Sequence, residues 1–222
     1  MTKKAKRYFL LAGVLVVLFA AVTVLVATAD VQPIGPEGTQ VGLAAVNGTV
    51  FHLLGASTIW YDITEWIGIA ALAVAALFAG VGLCQLMRRR SLRGVDRGIL
   101  ILGAFYGGVT AVYLLFELVV INYRPVLIDG ALEASYPSSH TMLAMCVLGS
   151  AAILLRKYFP KKTLLCRLAD TAAVVLSVVT AVGRLLSGMH WLTDIVGSML
   201  ISAALIALFR AVLMWTKETC QE

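Results

Sequence analysis

The chain has 222 residues, of which 60% are hydrophobic and only 14% charged, and its mean hydropathy is +0.92. This composition excludes an ordinary water-soluble domain and predicts an integral membrane protein, because a membrane-spanning helix needs about 20 mainly apolar residues. The net charge of +6 is compatible with nucleic-acid binding, but the basic residues lie between apolar runs, where they set membrane topology, so we predict no nucleic-acid partner.

Six apolar runs are each long enough to cross a bilayer as a helix. They predict an all-α, polytopic membrane protein with one membrane domain over residues 1–222. The predicted spans are 8–28, 66–87, 98–121, 137–155, 168–186 and 195–215. The first run follows four basic residues and is longer than the core of a cleaved signal peptide, which favours an uncleaved signal anchor.

The first loop, residues 29–65, contains acidic side chains but no Lys or Arg, and we predict that it is extracytoplasmic. Its apolar middle, residues 41–60, favours a short helix along the membrane surface. The tripeptide Asn47-Gly48-Thr49 matches a glycosylation acceptor, but such tripeptides often arise by chance.

The basic residues cluster at every second boundary between the predicted spans. The clusters are the amino-terminal segment, residues 88–97, residues 156–167, and Arg210 with Lys217 near the end of the last span. The positive-inside rule places this side, with both termini, in the cytoplasm. Only Arg124 and Arg184 remain for the opposite face, and a positive charge kept there calls for an anionic partner.

Three stretches rich in reactive side chains follow or precede spans at that opposite face. They are residues 122–125 after the third span, 136–140 at the start of the fourth, and 184–194 between the fifth and sixth. Two of the three histidines and both outer arginines lie in them. This concentration in a chain poor in polar groups indicates a phosphate site.

Each phosphate-binding candidate also has a simpler interpretation. The forked guanidinium groups of Arg124 and Arg184 match phosphate oxygens, although either side chain can instead snorkel to lipid headgroups. Pro137 is favourable in the first turn of the fourth span, whose amino terminus directs N–H groups and a positive dipole outward. Ser138 and Ser139 can add donors to this anion site, although Ser138 can simply cap the helix.

The histidines can divide nucleophilic and acid–base roles between them. His190 and Asp194 are four residues apart, so on a helix the carboxylate can hold one ring nitrogen and leave the other free to attack phosphorus. Alone, this pair can equally be a structural ion pair. His140 comes from a different helix and can donate a proton to the leaving oxygen. The third histidine, His52, has no such partners in sequence and is interpreted as structural.

These residues resemble the three signature motifs of the type 2 phosphatidic acid phosphatase family, Lys-x6-Arg-Pro, Pro-Ser-Gly-His and Ser-Arg-x5-His-x3-Asp. The matching residues in this chain are Arg124-Pro125, Pro137-Ser138-Ser139-His140, and Gly183-Arg184 followed by His190 and Asp194. Members are membrane enzymes that dephosphorylate lipid phosphates. The resemblance implies that His190 is the nucleophile and forms a phosphohistidine, that Asp194 orients it and that His140 is the general acid. It further implies that Arg124, Ser138 and Arg184 bind phosphate, and that neither a metal nor another cofactor is needed.

The chain departs from the family pattern at three positions. Glu117 stands where the first motif has Lys, Ser139 replaces Gly, and Gly183 replaces Ser. Glu117 reverses a charge beside the expected phosphate. It can pair with Arg124 or Arg184, recognise a cationic or hydroxylated headgroup, or be protonated at membrane depth. We therefore regard Glu117 as a specificity residue in a divergent member.

Together these observations predict a multi-pass cell-membrane enzyme that hydrolyses a lipid phosphate or lipid pyrophosphate at the extracytoplasmic face. The alternatives are a lipid phosphotransferase, which differs only in the acceptor, and a non-catalytic lipid-phosphate binder or transporter that has kept the anion site.

Overall fold

The computed structural model describes residues 1–128 and 130–218, with side chains described as far as Thr216, so the predicted charge of Lys217 lies outside the described side chains. Seven α-helices make up the described chain, and β-structure there is limited to isolated bridges. The helices are α1 (Lys3–Thr28), α2 (Ala44–Leu54), α3 (Thr58–Arg89), α4 (Arg97–Leu118), α5 (Ser139–Tyr158), α6 (Thr163–Leu186) and α7 (Leu192–Glu218).

All the helices except α2 are long and apolar enough to cross a membrane. This confirms the six predicted spans and the all-α class. Within the predicted segment 41–60, the short helix is α2. Helices α5 and α7 form the centre of the bundle, with 50% of their apolar windows buried, whereas the other four spans have only 17% buried. The surrounding helices therefore present Leu- and Val-rich surfaces outward, as a lipid-facing bundle requires.

All six spanning helices begin at residues other than the predicted ones, and two of these differences bear on the site. Helix α3 begins at Thr58 rather than at residue 66, because two carboxylates in its first turns lower the local hydropathy that sequence scanning detects. Helix α5 begins at Ser139, and Pro137 lies before the cap rather than in the first turn. The hydroxyl of Ser138 accepts the Thr141 N–H at 3.4 Å and so caps the helix.

Successive spans run in opposite directions, so the predicted site residues and the basic clusters lie at opposite ends of the bundle. We call the end formed by the starts of α3, α5 and α7 and the ends of α4 and α6 the site end. At the other end, Arg210 Nη1 donates to the Tyr8 hydroxyl at 3.3 Å, and the Tyr158 hydroxyl donates to Asp96. These contacts join α7 to α1 and α5 to the start of α4.

At the site end, α2 is fastened to the start of α7 by a buried amide. Asn47 donates through Nδ2 to the carbonyl of Gly42 at 2.8 Å and to Thr193 Oγ1 at 3.0 Å. Its Oδ1 accepts the backbone N–H of Thr193 at 3.2 Å, which satisfies one of the free donors in the first turn of α7. Asn47 is fully buried, so in this fold its amide is a structural link and not an exposed glycosylation acceptor.

Replacing Asn47 with Ala should lower the melting temperature of the purified protein in detergent. The substitution leaves the buried groups of Thr193 without partners, at a cost of about 1 to 3 kcal/mol. Thr49→Ala is the matched control, because Thr49 is exposed on the same helix and its hydroxyl bonds only its own helix backbone, at Ala45. Equal melting temperatures for the two variants would contradict the proposed link.

Candidate active site

The loop between α4 and α5 folds back on itself and carries Arg124 over the site end. The N–H of Arg124 donates to the Glu133 carbonyl at 3.0 Å, and the N–H of Ser135 donates to the Asn122 carbonyl at 2.9 Å. The Arg124 side chain is only 12% exposed, and its Nε lies 3.2 Å from Glu133 Oε2. The fold thus holds this guanidinium group inside the site instead of releasing it toward a lipid surface.

Arg184 lies in the last turn of α6 and is fully buried. Its Nη2 donates to Glu65 Oε1 at 2.6 Å, and its guanidinium carbon lies 5.5 Å from the centre of the Tyr61 ring. Helix α3 supplies both of these partners. A buried guanidinium requires such compensation, because its desolvation is costly.

His140 lies in the first turn of α5 and shares the carboxylate oxygen that binds Arg184. Its Nε2 is 3.1 Å from Glu65 Oε1. Next to it, the N–H of Ser138 donates to the backbone carbonyl of Asp194 at 3.2 Å, which joins the starts of α5 and α7. The Ser138 hydroxyl acts as the helix cap, which was the simpler of the two interpretations from sequence. Ser139 is partly exposed and lines a cleft with His140.

His190 lies just before α7, and only 3% of its surface is exposed. Its Nδ1 is 3.1 Å from the carbonyl oxygen of Ser135 and 3.5 Å from Asp194 Oδ2. The carboxylate of Asp194 also accepts the Trp191 N–H at 2.8 Å and lies 3.5 Å from Asn122 Nδ2. The carbonyl of Ser135 is the nearer acceptor for Nδ1, beside the predicted partner Asp194. Sequence reasoning missed Ser135 because a backbone carbonyl leaves no signature in the sequence.

The surroundings of His190 keep its imidazole neutral. Burial lowers the pKa of His190 well below 6.5, and the positive charges of Arg124 and Arg184 lower this pKa further, against the opposing hydrogen bond to Ser135. A neutral ring that donates from Nδ1 to the Ser135 carbonyl has its lone pair on Nε2. This nitrogen is therefore free to accept a hydrogen bond or to react with an electrophile.

Five buried nitrogens at this site have no hydrogen-bond partner among the described residues. Among the buried side-chain nitrogen and oxygen atoms of the described chain, one other, Ser202 Oγ, shares this property. Buried polar groups are normally paired, so a cluster of unpaired ones indicates a site for a ligand. Four of these nitrogens are Arg184 Nε, Arg184 Nη1, His140 Nδ1 and His190 Nε2. The fifth is Arg124 Nε, which lies 3.2 Å from Glu133 Oε2 but makes no hydrogen bond to it.

Two comparisons relate this chain to known proteins. The sequence model of the PAP2 superfamily matches residues 70–218, more than half of the chain. This chain belongs to the PAP2 superfamily. The family predicted from the three motifs, type 2 phosphatidic acid phosphatases, is thereby confirmed.

The chain is also similar to a solved PAP2 structure, that of the first transmembrane PAP2-type phosphatidylglycerolphosphate phosphatase from Bacillus subtilis. The TM-score is 0.62 at 18% sequence identity, over 93% of this chain and 96% of that one. This similarity shows a shared fold. No curated protein sequence matches the chain.

Glu117, which departs from the PAP2 pattern, is not the ion-pair partner of either arginine. Arg124 lies against Glu133 and Arg184 against Glu65. Glu117 is exposed in the last turn of α4 and lines a small pocket together with Ser139 and His190. Of the roles considered from sequence, pairing with an arginine is therefore wrong, and its place beside His190 keeps the proposal of a specificity role.

Gly183 departs from the PAP2 pattern because α3 packs directly against α6 at this point. A Cβ atom on Gly183 would lie 2.6 Å from Thr64 Cγ2 and 3.1 Å from Trp60 Cε3. The serine found in the family pattern does not fit this contact. The close approach of the two helices brings the residue after Thr64, which is Glu65, within reach of Arg184.

Glu65 is the main site residue that sequence reasoning missed. The predicted loop 29–65 includes Glu65, but in the structure this residue lies inside α3. An ionisable side chain within a spanning helix is a signal of function in itself. The misplaced helix start hid that signal, and the family match begins only at residue 70.

The described residues contain no group of three or more His, Cys, Asp or Glu side chains placed to hold a metal ion. The positive charges that act on His190 are the guanidinium groups of Arg124 and Arg184. Arginine can neutralise phosphate oxygens directly, through bidentate hydrogen bonds.

Gly183→Ser should destabilise the protein, and Thr64→Ala should relieve most of that effect. Overpacking of a tight contact typically costs about 1 to 3 kcal/mol, and removing Thr64 Cγ2 removes the atom that the new Cβ would meet. Melting temperatures of the two single variants and the double variant form a complete cycle. Additive effects would contradict the contact.

The pH dependence of stability should carry a specific contribution from His190. The unfolded chain binds this proton near pH 6.5, whereas the folded chain binds it only at lower pH, so a fall in pH through this window favours unfolding. The stability difference between the native protein and His190→Gln should therefore rise with pH up to about 7 and then level off, with a slope of at most about 1.4 kcal/mol per pH unit. Melting curves of both proteins across this range would measure it, and parallel curves would contradict the buried neutral ring.

Proposed function

We propose that this PAP2 member is a lipid phosphate or lipid pyrophosphate phosphatase that works through a phosphohistidine on His190. The cluster of five buried nitrogens without a hydrogen bond carries this proposal. Both arginines lie close enough to His190 to act electrostatically on its ring, whose Nε2 is free. A tetrahedral phosphoryl group has oxygens for the arginine donors and a phosphorus atom for the nucleophile.

An apolar cleft supports a lipid as the substrate. It has a volume of about 390 Å3 and lies between α3, α4 and α5, lined by Leu72, Val109 and Leu143 among others. Its polar end is formed by Ser139 and His140. An acyl or prenyl chain in this cleft would bring its phosphate to the histidines. Candidate substrates are phosphatidate-like lipids, phosphatidylglycerol phosphate and undecaprenyl pyrophosphate.

In the first step, the lone pair of His190 Nε2 attacks phosphorus as the bond from phosphorus to the leaving oxygen breaks. Arg124 and Arg184 hold the equatorial oxygens and neutralise their charge. The leaving oxygen keeps the electron pair of the broken bond and takes a proton from His140. The products of this step are the lipid alcohol, or lipid phosphate, and a phosphohistidine.

In the second step, a water molecule attacks the phosphohistidine. The now neutral His140 accepts the proton of the water as the new oxygen–phosphorus bond forms. The phosphorus–nitrogen bond breaks, its electrons return to His190 Nε2, and inorganic phosphate leaves. Both histidines then have the protonation states with which the cycle began.

The distribution of charge supports an extracytoplasmic active site. The basic clusters lie at the end of the bundle opposite the site end, and positive charge is retained on the cytoplasmic side during insertion. This distribution supports a cell-membrane protein with both termini in the cytoplasm and the site at the outer face. Arg124 and Arg184 are the exceptions to this distribution of positive charge, and each has a carboxylate partner, Glu133 and Glu65 respectively.

Phosphate release in detergent, with excess chelator present, tests the proposal. The native protein should release phosphate from at least one of the candidate lipids, because the arginines supply the charge that a metal would otherwise provide. His190→Ala should lower turnover by at least about 10³-fold and abolish acid-labile protein phosphorylation, whereas His140→Ala should spare formation of that adduct more than turnover. His52→Ala is the matched control, because His52 is exposed and distant in sequence from the motifs.

Two outcomes would contradict the proposal. Tight lipid-phosphate binding without turnover across the panel would favour the non-catalytic binder or transporter. Transfer of the phosphoryl group to a second lipid, without release of inorganic phosphate, would favour the phosphotransferase.

A further inference from the structure

We infer that Glu65 is a positioning residue that holds the general acid, His140, in the orientation needed to protonate the leaving group. The inference rests on the proposed function and assigns a role to a side chain that no PAP2 motif contains. The matched family region begins at residue 70, after Glu65.

The first observation is the geometry of the shared oxygen. Glu65 Oε1 lies 3.1 Å from His140 Nε2 and 2.6 Å from Arg184 Nη2. One carboxylate oxygen therefore accepts from two groups that belong to different helices, α5 and α6. This fixes the position of the imidazole relative to the guanidinium that binds the phosphoryl group.

The second observation is which atoms this contact leaves available. His140 Nδ1 is buried and has no partner in the described chain, and the same is true of Arg184 Nε and Nη1. Glu65 thus uses one nitrogen of each partner and leaves the rest for the substrate. A carboxylate that only blocked the site would be expected to cover the phosphate-binding edge of Arg184.

The third observation is that α3 packs closely against both α5 and α6 on either side of Glu65. A Cβ atom on Gly68 would lie 3.1 Å from His140 Cδ2, and a Cβ atom on Gly183 would lie 2.6 Å from Thr64 Cγ2. The two glycines allow α3 to lie against both α5 and α6. Glu65 lies between these two contact points on α3.

The chemistry of the leaving step requires such a partner. When His140 gives its Nδ1 proton to the leaving oxygen, the ring keeps its Nε2 proton and its hydrogen bond to Glu65. The negative carboxylate stabilises the imidazolium before transfer and prevents the ring from rotating. In the return step, the same contact directs Nδ1 to accept the proton of the attacking water. Each histidine thus has one ring nitrogen held by an acceptor, which is Glu65 for His140 and the Ser135 carbonyl for His190.

The test compares two substrates that differ in their need for an acid. Decyl phosphate has a poor alkoxide leaving group, whereas 4-nitrophenyl phosphate has a good one that leaves without protonation. Glu65→Gln should lower kcat on decyl phosphate by at least about 10-fold with little change in KM, and should change kcat on 4-nitrophenyl phosphate by less than about 3-fold. Glu65→Asp, which withdraws the carboxylate by one methylene group, should show the same split.

The control variant is Asp62→Asn, which removes the same charge from an exposed position one turn earlier on α3. It should leave both rates unchanged. In a His140→Ala background, Glu65→Gln should cause no further loss on decyl phosphate, because the residue acts through His140. Melting temperatures establish that each variant is folded.

Several outcomes would overturn the inference. One is an equal loss on both substrates in a folded Glu65 variant. Another is a full additional loss in the His140→Ala background, which would show that Glu65 acts through Arg184 instead. If the native protein hydrolyses both substrates and the split is absent, only the inference fails. If the native protein hydrolyses neither compound nor any candidate lipid, the proposed function fails with it.

Discussion

The buried guanidinium of Arg184 is the charge on which the rest of the site depends. Its side chain is fully buried in a bundle of apolar spanning helices. A cation in such surroundings is tolerated only with close compensation. Helix α3 provides this through the Glu65 carboxylate and the Tyr61 ring. The early start of α3 brings Glu65 into the spanning helix, and the absence of a side chain at Gly183 lets α3 approach α6. Both features allow Glu65 to compensate the buried charge of Arg184.

The two histidines of the site are oriented by partners of opposite electrostatic character. His190 has a neutral backbone carbonyl at Nδ1 and two arginines nearby, so its neutral form is favoured. His140 has a carboxylate within hydrogen-bond distance of Nε2, which can hold the ring through its N–H. The proposed nucleophile therefore has an uncharged acceptor, and the proposed general acid has an anionic one. Two identical side chains thus have different surroundings, as the proposed division of roles requires.

The sequence was sufficient to predict the spans and the convergence of the three motifs, because both follow from the number and order of long apolar runs. Apolar runs mark spanning helices, and alternating directions place the motifs at one end. The partners within the site were harder to predict. The interactions of Arg124 with Glu133 and of Arg184 with Glu65 depend on helix packing and loop conformation. Those features are set by atomic contacts, so the sequence offered Glu117 as one possible partner, whereas the structure uses other carboxylates.

Residues 1–69, which precede the family match, contact and orient the motif residues that follow. Asn47 caps α7 two residues from Trp191, whose N–H fixes the Asp194 carboxylate. Phe19 stacks on Tyr136, the residue before the second motif, at a ring distance of 6.1 Å. Glu65 completes the arrangement from α3. The motifs carry the reacting groups that PAP2 proteins share, whereas their orientation in this member depends on contacts from residues 1–69. Substitutions in that segment can therefore alter catalysis while every motif residue remains in place.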